Sequence, residues 1–470
     1  MDITNPEQNI TFDNFDKFDR KPFADSLTQA ISTFYPFYEE SYVLSLNATF
    51  GSGKSTFLKM WKHNLEKQGY KVIHINAWKS DFDEDPIIHI VGSLLENIKT
   101  GTGLKKTKNA LKKVLGASAL TTNQLLKHTT GIDVAETIKE SEKDTKDLIK
   151  IGGEIYNTYN YKEAAYENLK KNLKDYVSKL EKKPLIIFVD ELDRVRPNYA
   201  IKFLEAIKHI FGIQGICFVL AVDKEQLKVA TQQLYGKIDF ENYYLRFYTR
   251  ETNLPSVESR NYHGYIKFLS GHYFDEKRDI GIEFSFNKSD QNEIISFITD
   301  ICKIFQFRPR QVELLFRIFA QLMAVVQNTD QFVITQYVKA TILLIAFYIQ
   351  NRKLYKELGN SNFNIDEVDS YILSLSYDEE LQINARYLVL LFISFSLKTS
   401  FKEEDSKHDK LINLALKYDP PREDMPYEES KREIVSRLIR FKNPNGSGEI
   451  DRQSGFSFIY DKIEKWENFL

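Results

Sequence analysis

The chain has 470 residues, and its 64 Lys and Arg against 66 Asp and Glu leave a net charge of -2 at pH 7. Such a length predicts two or three domains, and the balanced charge argues against a surface built throughout to coat nucleic acid. The two cysteines, Cys217 and Cys302, lie too far apart in sequence for a disulfide framework or a zinc site, so we expect a cytoplasmic protein.

The first 38 residues precede the first predicted strand and contain acidic residues but no apolar signal-peptide region. Apolar residues from Phe23 to Phe34 recur at helical spacing, which predicts a helix with one buried face. Two interpretations of this segment are equally supported. Either packing alone explains the stripe, or, if the loop motif described next binds a nucleotide, Arg20 and Phe23 lie beside its base.

The stretch Asn47 to Lys59, NATFGSGKSTFLK, has the spacing of a phosphate-binding loop. A buried strand is predicted before it and a helix after it, so backbone N–H groups and the positive end of the helix dipole face one point. This flanking pattern disfavours a chance glycine-rich turn. We expect Lys54 to reach the β- and γ-phosphates of ATP and the Ser55 hydroxyl to bind Mg²⁺. The predicted nucleotide contacts in the loop are Ala48, Phe50, Gly51, Ser52, Gly53, Lys54, Ser55 and Thr56.

Ala48 stands where the phosphate-loop pattern begins with glycine. Alanine adds only a methyl group, which the loop tolerates unless the backbone there needs a positive φ. We therefore expect a working loop.

A second strand is predicted from Lys71 to Ile75, followed by Asn76 and, two residues on, Trp78. The turn brings these side chains to the carboxyl edge of the sheet, where open parallel sheets bind ligands. The pattern favours Trp78 as a wedge between helix and sheet over direct ligand contact. His74 and His89 have no partners at metal-ligand spacing, so we interpret both as structural.

Residues 100–180 are rich in lysine and show helical rather than strand periodicity, which predicts an insertion on the sheet. Within them, Leu104 to Leu115 forms an amphipathic pattern with five lysines around a leucine face. A solvated helix is favoured over one that touches an anionic partner.

The apolar run Leu185 to Val189 ends in Asp190 and Glu191, as a buried parallel strand would at the ligand-binding edge. Asp190 is predicted to hold the water shell of Mg²⁺. Glu191 is predicted to orient and deprotonate the water that attacks the γ-phosphate. Helix capping is the alternative, which the phosphate loop at Lys54 disfavours.

Further charged residues follow this strand and the next. Arg194 has two equal interpretations: it stabilises charge in the transition state, or it pairs with Asp193 or another local acid. The strand Cys217 to Val222 ends in Asp223, which either senses the γ-phosphate or caps the next helix.

Beyond residue 240 the predicted elements change from strands to helices. Tyr244 to Tyr248 is predicted as the last strand, and helical patterns dominate after Pro255. Arg310 opens one such helix and is predicted to reach the nucleotide from a second domain. The apolar runs Ile342 to Ile349 and Tyr387 to Leu397 are shorter than the roughly 20 residues that cross a bilayer, so we interpret both as buried helices.

Taken together, the motifs resemble the KAP family of P-loop NTPases, within the signal-transduction ATPases with numerous domains. The segments that carry the resemblance are FDRKPFADSL, FGSGKSTFL, INAWKSD, LIIFVDELDRVRP, CFVLAVDKEQL, YYLRFYTRETNLP and RPRQVELL. They cover roughly residues 15 to 320. Two departures stand out: Ala48 and Phe50 replace the usual glycine and tryptophan, and a lysine-rich insertion stands where many members carry transmembrane helices. The chain thus resembles the soluble bacterial members, some of which are associated with exclusion of phages or plasmids.

The expected fold is α/β, a P-loop NTPase core with a parallel sheet, a helical insertion and an α-helical C-terminal domain. The predicted domains are an N-terminal segment at 1–38, the core at 39–99 and 181–255, the insertion at 100–180, a helical lid at 256–400 and a C-terminal extension at 401–470.

The leading functional hypothesis is an ATP-hydrolysing switch that uses ATP and Mg²⁺, with a role in bacterial antiviral defence implied by the resemblance. Hydrolysis is expected to be slow until a protein partner or self-association completes the site. A non-enzymatic nucleotide-binding adaptor is the second hypothesis. A nucleic-acid-dependent ATPase is the third and rests only on the lysine cluster at 105–113 and the sensor arginines, and no membrane partner is expected.

Overall fold

A computed structural model describes residues 10–80, 85–97, 108–110, 112–114, 155–273, 288–327, 335–360, 362–375, 387–392, 406–419, 425–442, 460, 463 and 464. The described residues fall into two compact units, one within residues 8–256 and the other within residues 257–470. The sheet belongs to the first unit.

Five parallel strands form that sheet. They are β1 (Tyr42–Asn47), β2 (Val72–Asn76), β3 (Leu185–Asp190), β4 (Ile216–Val222) and β5 (Arg250–Asn253). Their order across the sheet is β2-β3-β4-β1-β5, and every pairing is parallel. The helices of this unit are α1 (Phe12–Phe15), α2 (Lys21–Phe34), α3 (Lys54–Lys67), α4 (Pro86–Asn97), α5 (Ile155–Ser178), α6 (Pro197–His209), α7 (Lys224–Tyr235) and α8 (Phe240–Tyr244), with short 3₁₀ helices at Tyr35–Phe37 and Ala77–Ser80. The predicted parallel α/β class is confirmed.

Strand β3 is buried on both faces of the sheet. Successive side chains of a strand point to opposite faces, so Ile187 and Val189 pack in one apolar cluster and Ile186 and Phe188 pack in the other. Helices cover both faces, which explains why the strand reads as an unbroken apolar run. The predicted buried strand is confirmed.

Part of the predicted insertion contributes to the core of the first unit. Leu169 and Leu173 of α5 are fully buried in the same apolar cluster as the strands. In the predicted helix of Leu104 to Leu115, the described residues are helical, and Ala110 and Val114 are buried in that cluster too. The leucines on which this prediction rested lie outside the described residues.

The last strand of the sheet differs from the predicted one, Tyr244 to Tyr248. Helix α8 occupies the start of that segment, and β5 begins only after it. The Asp239 carboxylate caps α8 by accepting a hydrogen bond from the Asn242 N–H at 3.2 Å. The Tyr244 hydroxyl lies 3.0 Å from the Ser45 hydroxyl in the core. A helix cap and a buried hydrogen bond therefore override the strand preference of the aromatic residues.

In the second unit, the described residues form helices. These are α9 (Ser259–Tyr273), α10 (Lys288–Ile304), α11 (Pro309–Gln327), α12 (Thr335–Gln350), α13 (Arg352–Gly359), α14 (Ile365–Ser374), α15 (Ser406–Tyr418) and α16 (Tyr427–Lys442). The run Ile342 to Ile349 lies in α12, as predicted, and is buried except for Ile349, which is partly buried. Of the run Tyr387 to Leu397, only residues 387–392 are described. Within the described part of the chain, no helix has the length and apolar character to cross a bilayer.

Candidate nucleotide-binding site

The carboxyl ends of neighbouring strands bring the predicted site residues together. The β2–β3 register pairs Asn76 with Asp190, and the β1–β4 register pairs Asn47 with Val222. Parallel strands end at one edge of a sheet, so the loop after β1, the carboxylates at the end of β3 and Asp223 after β4 meet there.

The phosphate-binding loop turns sharply between β1 and α3. Gly51 and Gly53 have φ values of 80° and 88°, a region that favours glycine. A Cβ atom on Gly53 would also lie 3.1 Å from Nη1 of Arg20. Ala48 has no positive φ, and its N–H donates to the Val222 carbonyl at 2.9 Å. The alanine that replaces the usual glycine therefore adds a methyl group without backbone strain.

The guanidinium of Arg20 links two distant segments of the first unit. Its Nη1 donates to the Ser52 carbonyl at 3.0 Å, and its Nη2 donates to the Pro255 carbonyl at 3.1 Å. Burial lowers the pKa of Arg20 to about 10, against the opposing effect of Asp16, so the group stays charged at neutral pH. Its predicted position beside a nucleotide base stays a prediction. Phe23 packs on the ring of Phe57 in α3, in line with the packing interpretation of that helix.

Lys54 is buried at the start of α3 and is held by two oxygen atoms. Its Nζ donates to the Ala48 carbonyl at 2.6 Å and lies 3.5 Å from Oδ2 of Asp193. Burial raises the pKa of the Asp193 carboxyl, and the positive charge of Lys54 opposes this shift only in part. Sequence reasoning considered Asp193 only as a partner of Arg194 and missed this pair. Its place three residues after Asp190, in the turn that faces the loop, was the available signal.

Asp190 lies against the first turn of α3. Its carboxylate accepts a hydrogen bond from the Glu191 N–H at 2.9 Å, and the Ser55 hydroxyl lies close enough to lower its pKa. His74 Nε2 lies 3.8 Å away, which is beyond hydrogen-bond distance. Burial raises the pKa of Asp190, but the nearby imidazole, the Ser55 hydroxyl and the Glu191 N–H outweigh it, so the pKa falls below its usual value. The structure thus brings together the two residues predicted to hold Mg²⁺.

Both carboxylate oxygens of Glu191 have partners. Oε2 accepts from Asn76 Nδ2 at 2.8 Å, and Oε1 lies 2.7 Å from Arg194 Nη1. Of the two interpretations of Arg194, the geometry matches pairing with a local acid, and that acid is Glu191. The backbone φ of Glu191 is 63°, a left-handed conformation that costs a non-glycine residue about 1 kcal/mol and is frequent at functional sites.

Arg194 also packs against two aromatic side chains. Its guanidinium carbon lies 4.9 Å from the ring centroid of Phe50 and 5.8 Å from that of Trp78. Trp78 is 56% exposed, so its interpretation as a wedge between helix and sheet is wrong. The 3₁₀ turn after β2 buries Ala77 instead and leaves the indole outside.

Asp223 caps a helix with one carboxylate oxygen and contacts the phosphate-binding loop with the other. Its Oδ1 caps α7 by accepting from the Gln226 N–H at 3.4 Å. Its Oδ2 accepts from the Phe50 N–H at 2.9 Å. The end of β4 is thereby tied to the phosphate-binding loop.

Unpartnered polar atoms cluster at this edge of the sheet. Nine buried side-chain N or O atoms of the described residues have no hydrogen-bond partner, and five of them are Arg20 Nε, Ser52 Oγ, His74 Nε2, Asp193 Oδ1 and Arg194 Nε. Buried polar atoms are normally hydrogen-bonded, so such a group is typical of a site that receives a polar ligand.

Two further predicted residues are less informative. Thr56 lies in the first turn of α3. Arg310 lies in the first turn of α11 in the second unit and is exposed. Its predicted approach to the nucleotide stays a prediction.

A parallel sheet with a phosphate-binding loop between a buried strand, here β1, and the following helix defines a P-loop protein. The family model of the KAP family P-loop domain matches residues 20–323. The chain therefore belongs to the KAP family of P-loop NTPases, which confirms the resemblance of its motifs.

Two solved structures of the Aeropyrum pernix ORC2 protein are similar to this chain. The ADP form shares 13% identity at a TM-score of 0.34, covering 93% of this chain and 95% of that one. The structure with ADPNP and ADP shares 13% identity at a TM-score of 0.36, covering 90% and 94%. No curated protein matches the sequence.

Proposed function

We propose that this protein is an ATP-hydrolysing switch. The observation that carries the proposal is the approach of α3 to the end of β3, where the Ser55 hydroxyl lies close to Asp190 and Lys54 lies beside Asp193. Segments more than a hundred residues apart thus supply a buried cation, a hydroxyl and a carboxylate at one point. Phosphoryl transfer depends mainly on positioning and on stabilisation of charge, and these are the groups it requires.

In this proposal the phosphate-binding loop holds the triphosphate. Its backbone N–H groups and the start of α3 attract the phosphate oxygens, and Lys54 contacts the β- and γ-phosphates. The loop contacts are those predicted from the sequence, from Ala48 to Thr56.

The residues at the start of α3 and at the end of β3 fit Mg²⁺. A hydroxyl and a carboxylate are hard oxygen ligands, and Mg²⁺ commonly uses one or two such groups together with substrate phosphates. Ser55 and Asp190 would hold the ion, which when bound neutralises charge on the phosphates. The lowered pKa of Asp190 keeps this carboxylate ionised at neutral pH.

Glu191 is the proposed general base, and its contacts support a slow basal rate. Both of its oxygens are engaged, by Asn76 and by Arg194, so the carboxylate is directed at these side chains rather than at a water molecule. Hydrolysis then requires that at least one contact be released. A protein partner or a second copy of the chain that engages Arg194 or Asn76 would supply the trigger.

Membership of the family supports a proposal for the biological setting. The soluble KAP members that this chain resembles include proteins associated with exclusion of phages or plasmids, so we propose a cytoplasmic switch in bacterial antiviral defence. Survival of phage challenge in cells that carry the gene, compared with cells that carry an inactive variant, tests this role.

The enzymatic proposal is tested by Glu191→Gln. The variant should bind ATP as the wild type does but hydrolyse it at least about 100-fold more slowly, because the general base is lost. Phosphate release gives the rate, and retention of labelled ATP on the purified protein gives binding. Glu167→Gln, at an exposed site on α5, is the matched control and should behave as wild type. Equal hydrolysis by both variants would remove Glu191 from the base role, and a wild-type protein that binds no ATP would contradict the whole proposal.

A further inference from the structure

Lys54 and Asp193 form a buried pair in which Lys54 takes part in the proposed reaction and Asp193 has no assigned role. The side chains are 7% and 3% exposed, so water screens their charges little. The separation of 3.5 Å between Nζ and Oδ2 is longer than a good hydrogen bond, and Oδ1 has no partner. The carboxylate of Asp193 therefore balances the charge of Lys54, but one of its own oxygen atoms, Oδ1, has no hydrogen-bond partner.

A triphosphate needs the same cation. The phosphate oxygens that Lys54 is proposed to contact carry the same sign of charge as Asp193, so the two compete for one ammonium group. The backbone N–H groups of Asp193 and Asp223 and the charge of Arg194 also favour the ionised form of Asp193, but burial outweighs them. The charge of Asp193 in turn helps to raise the pKa of Tyr244. Like charges placed this close in a buried site repel strongly.

We infer that Asp193 is the resting counter-ion of Lys54, which a triphosphate must displace, and that Asp193 thereby lowers the nucleotide affinity of the site. The inference rests on the proposed function, because it assumes that Lys54 binds phosphate. Asp193 is in this view an affinity-determining residue that acts through Lys54.

The inference is tested by Asp193→Asn, which has the same shape without the charge. Its affinity for ATP, measured by calorimetric titration, should be at least about tenfold higher than that of the wild type, because Lys54 is no longer neutralised. Asp193→Glu keeps the charge and should show no such gain. Asp175→Asn, at an exposed site on α5, is the surface control and should leave the affinity unchanged.

The pH dependence separates this role from a purely structural one. Burial raises the pKa of Asp193, so the wild-type carboxyl gains a proton as the pH falls and releases Lys54. The ratio of the two ATP affinities, Asp193→Asn over wild type, should therefore shrink toward one at acidic pH. Titration of the γ-phosphate affects both proteins and cancels in the ratio.

Stability provides the folding control. A carboxyl with a raised pKa contributes stability that is fully present below its ordinary value and is lost as the pH rises through the raised value. At neutral pH the nucleotide-free Asp193→Asn protein should then melt no lower than the wild type. If it fails to fold, Asp193→Ser removes the same charge and supplies the same comparison.

The possible outcomes are distinct. Wild-type binding of ATP with equal or weaker binding by a folded Asp193→Asn protein would overturn the inference alone. Absence of ATP binding in both proteins would overturn the proposed function and the inference with it.

Discussion

Two groups of charged and polar side chains in the first unit each contain ion pairs, but their polar atoms are hydrogen-bonded to different degrees. The edge cluster consists of Lys224, Glu241, Tyr248 and Glu251 beside β5. Its Lys224 Nζ lies 2.7 Å from Glu241 Oε2 and 2.9 Å from Glu251 Oε2, and the Tyr248 hydroxyl donates to Glu251 at 3.1 Å. Hydrogen bonds to both glutamates outweigh desolvation and raise the pKa of Lys224 above its usual value.

The loop cluster consists of Lys54, Glu191, Asp193 and Arg194. Its ion pairs are also close, yet Asp193 Oδ1 and Arg194 Nε have no partner, whereas none of the unpartnered buried atoms of the described residues belongs to the edge cluster. A cluster whose polar atoms all have hydrogen-bond partners is typical of a structural role. A cluster with unpartnered buried polar atoms is typical of a ligand-binding site. Variants of the two clusters should therefore affect different properties.

The largest effect is expected for Lys54→Ala in the loop cluster. ATP hydrolysis should fall at least about 100-fold, because the phosphates lose the cation that stabilises developing charge. ATP should also no longer raise the melting temperature, since ligand-linked stabilisation requires binding. Phosphate release and thermal unfolding with and without ATP measure both. Hydrolysis at the wild-type rate would indicate that the loop cluster, like the edge cluster, has a structural role and does not take part in the reaction.

A smaller effect, on stability alone, is expected for Lys224→Met in the edge cluster. Methionine keeps the apolar stem but leaves the partly buried Glu251 without its cation, so the free energy of unfolding should fall by about 1–2 kcal/mol. ATP affinity should stay within about twofold of wild type. Denaturant titration gives the stability.

The matched control for this variant is Lys228→Met, whose partner Glu225 is 74% exposed. Exposed pairs contribute little, so the change should stay within about 0.5 kcal/mol. Loss of ATP binding in Lys224→Met without loss of stability would reverse the assignment of the two clusters.

The smallest effect is expected for Asn76→Ala. This variant removes one of the two contacts that hold Glu191, and a single hydrogen bond of about 1 kcal/mol corresponds to a rise of up to about fivefold in basal hydrolysis. Steady-state phosphate release at saturating ATP measures it. A slower rate would show that Asn76 positions Glu191 for proton transfer instead of restraining it.

Local spacing was enough to predict the strands β1, β3 and β4, the phosphate-binding loop, and the approach of Ser55 to Asp190. The pattern of each segment is continuous in sequence, and the rule that parallel strands end at one edge places the segments together. The contact between Asn76 and Glu191 was not predicted, because it depends on the β2–β3 register, which pairs Asn76 with Asp190.

The wrong predictions have local physical causes. Tyr244 to Tyr248 has the aromatic content of a strand, but the cap at Asp239 starts a helix that includes Tyr244. Strand propensity is weak and depends on context, so such a local contact can override it. Trp78 has the size of a core residue, but the 3₁₀ turn after β2 directs the smaller Ala77 inward. The spacing of Asp193 from Asp190 places it near the phosphate-binding loop, but only the fold of the turn decides that its carboxylate pairs with Lys54 and not with Arg194.

The two carbonyls held by Arg20 set a limit on how far the chain can be trimmed from its amino end. A protein that started at β1 would leave the carbonyls of Ser52 and Pro255 without their shared donor, although both belong to segments downstream. The smallest piece able to keep the loop in its present shape thus begins ahead of residue 20, well before the sheet itself.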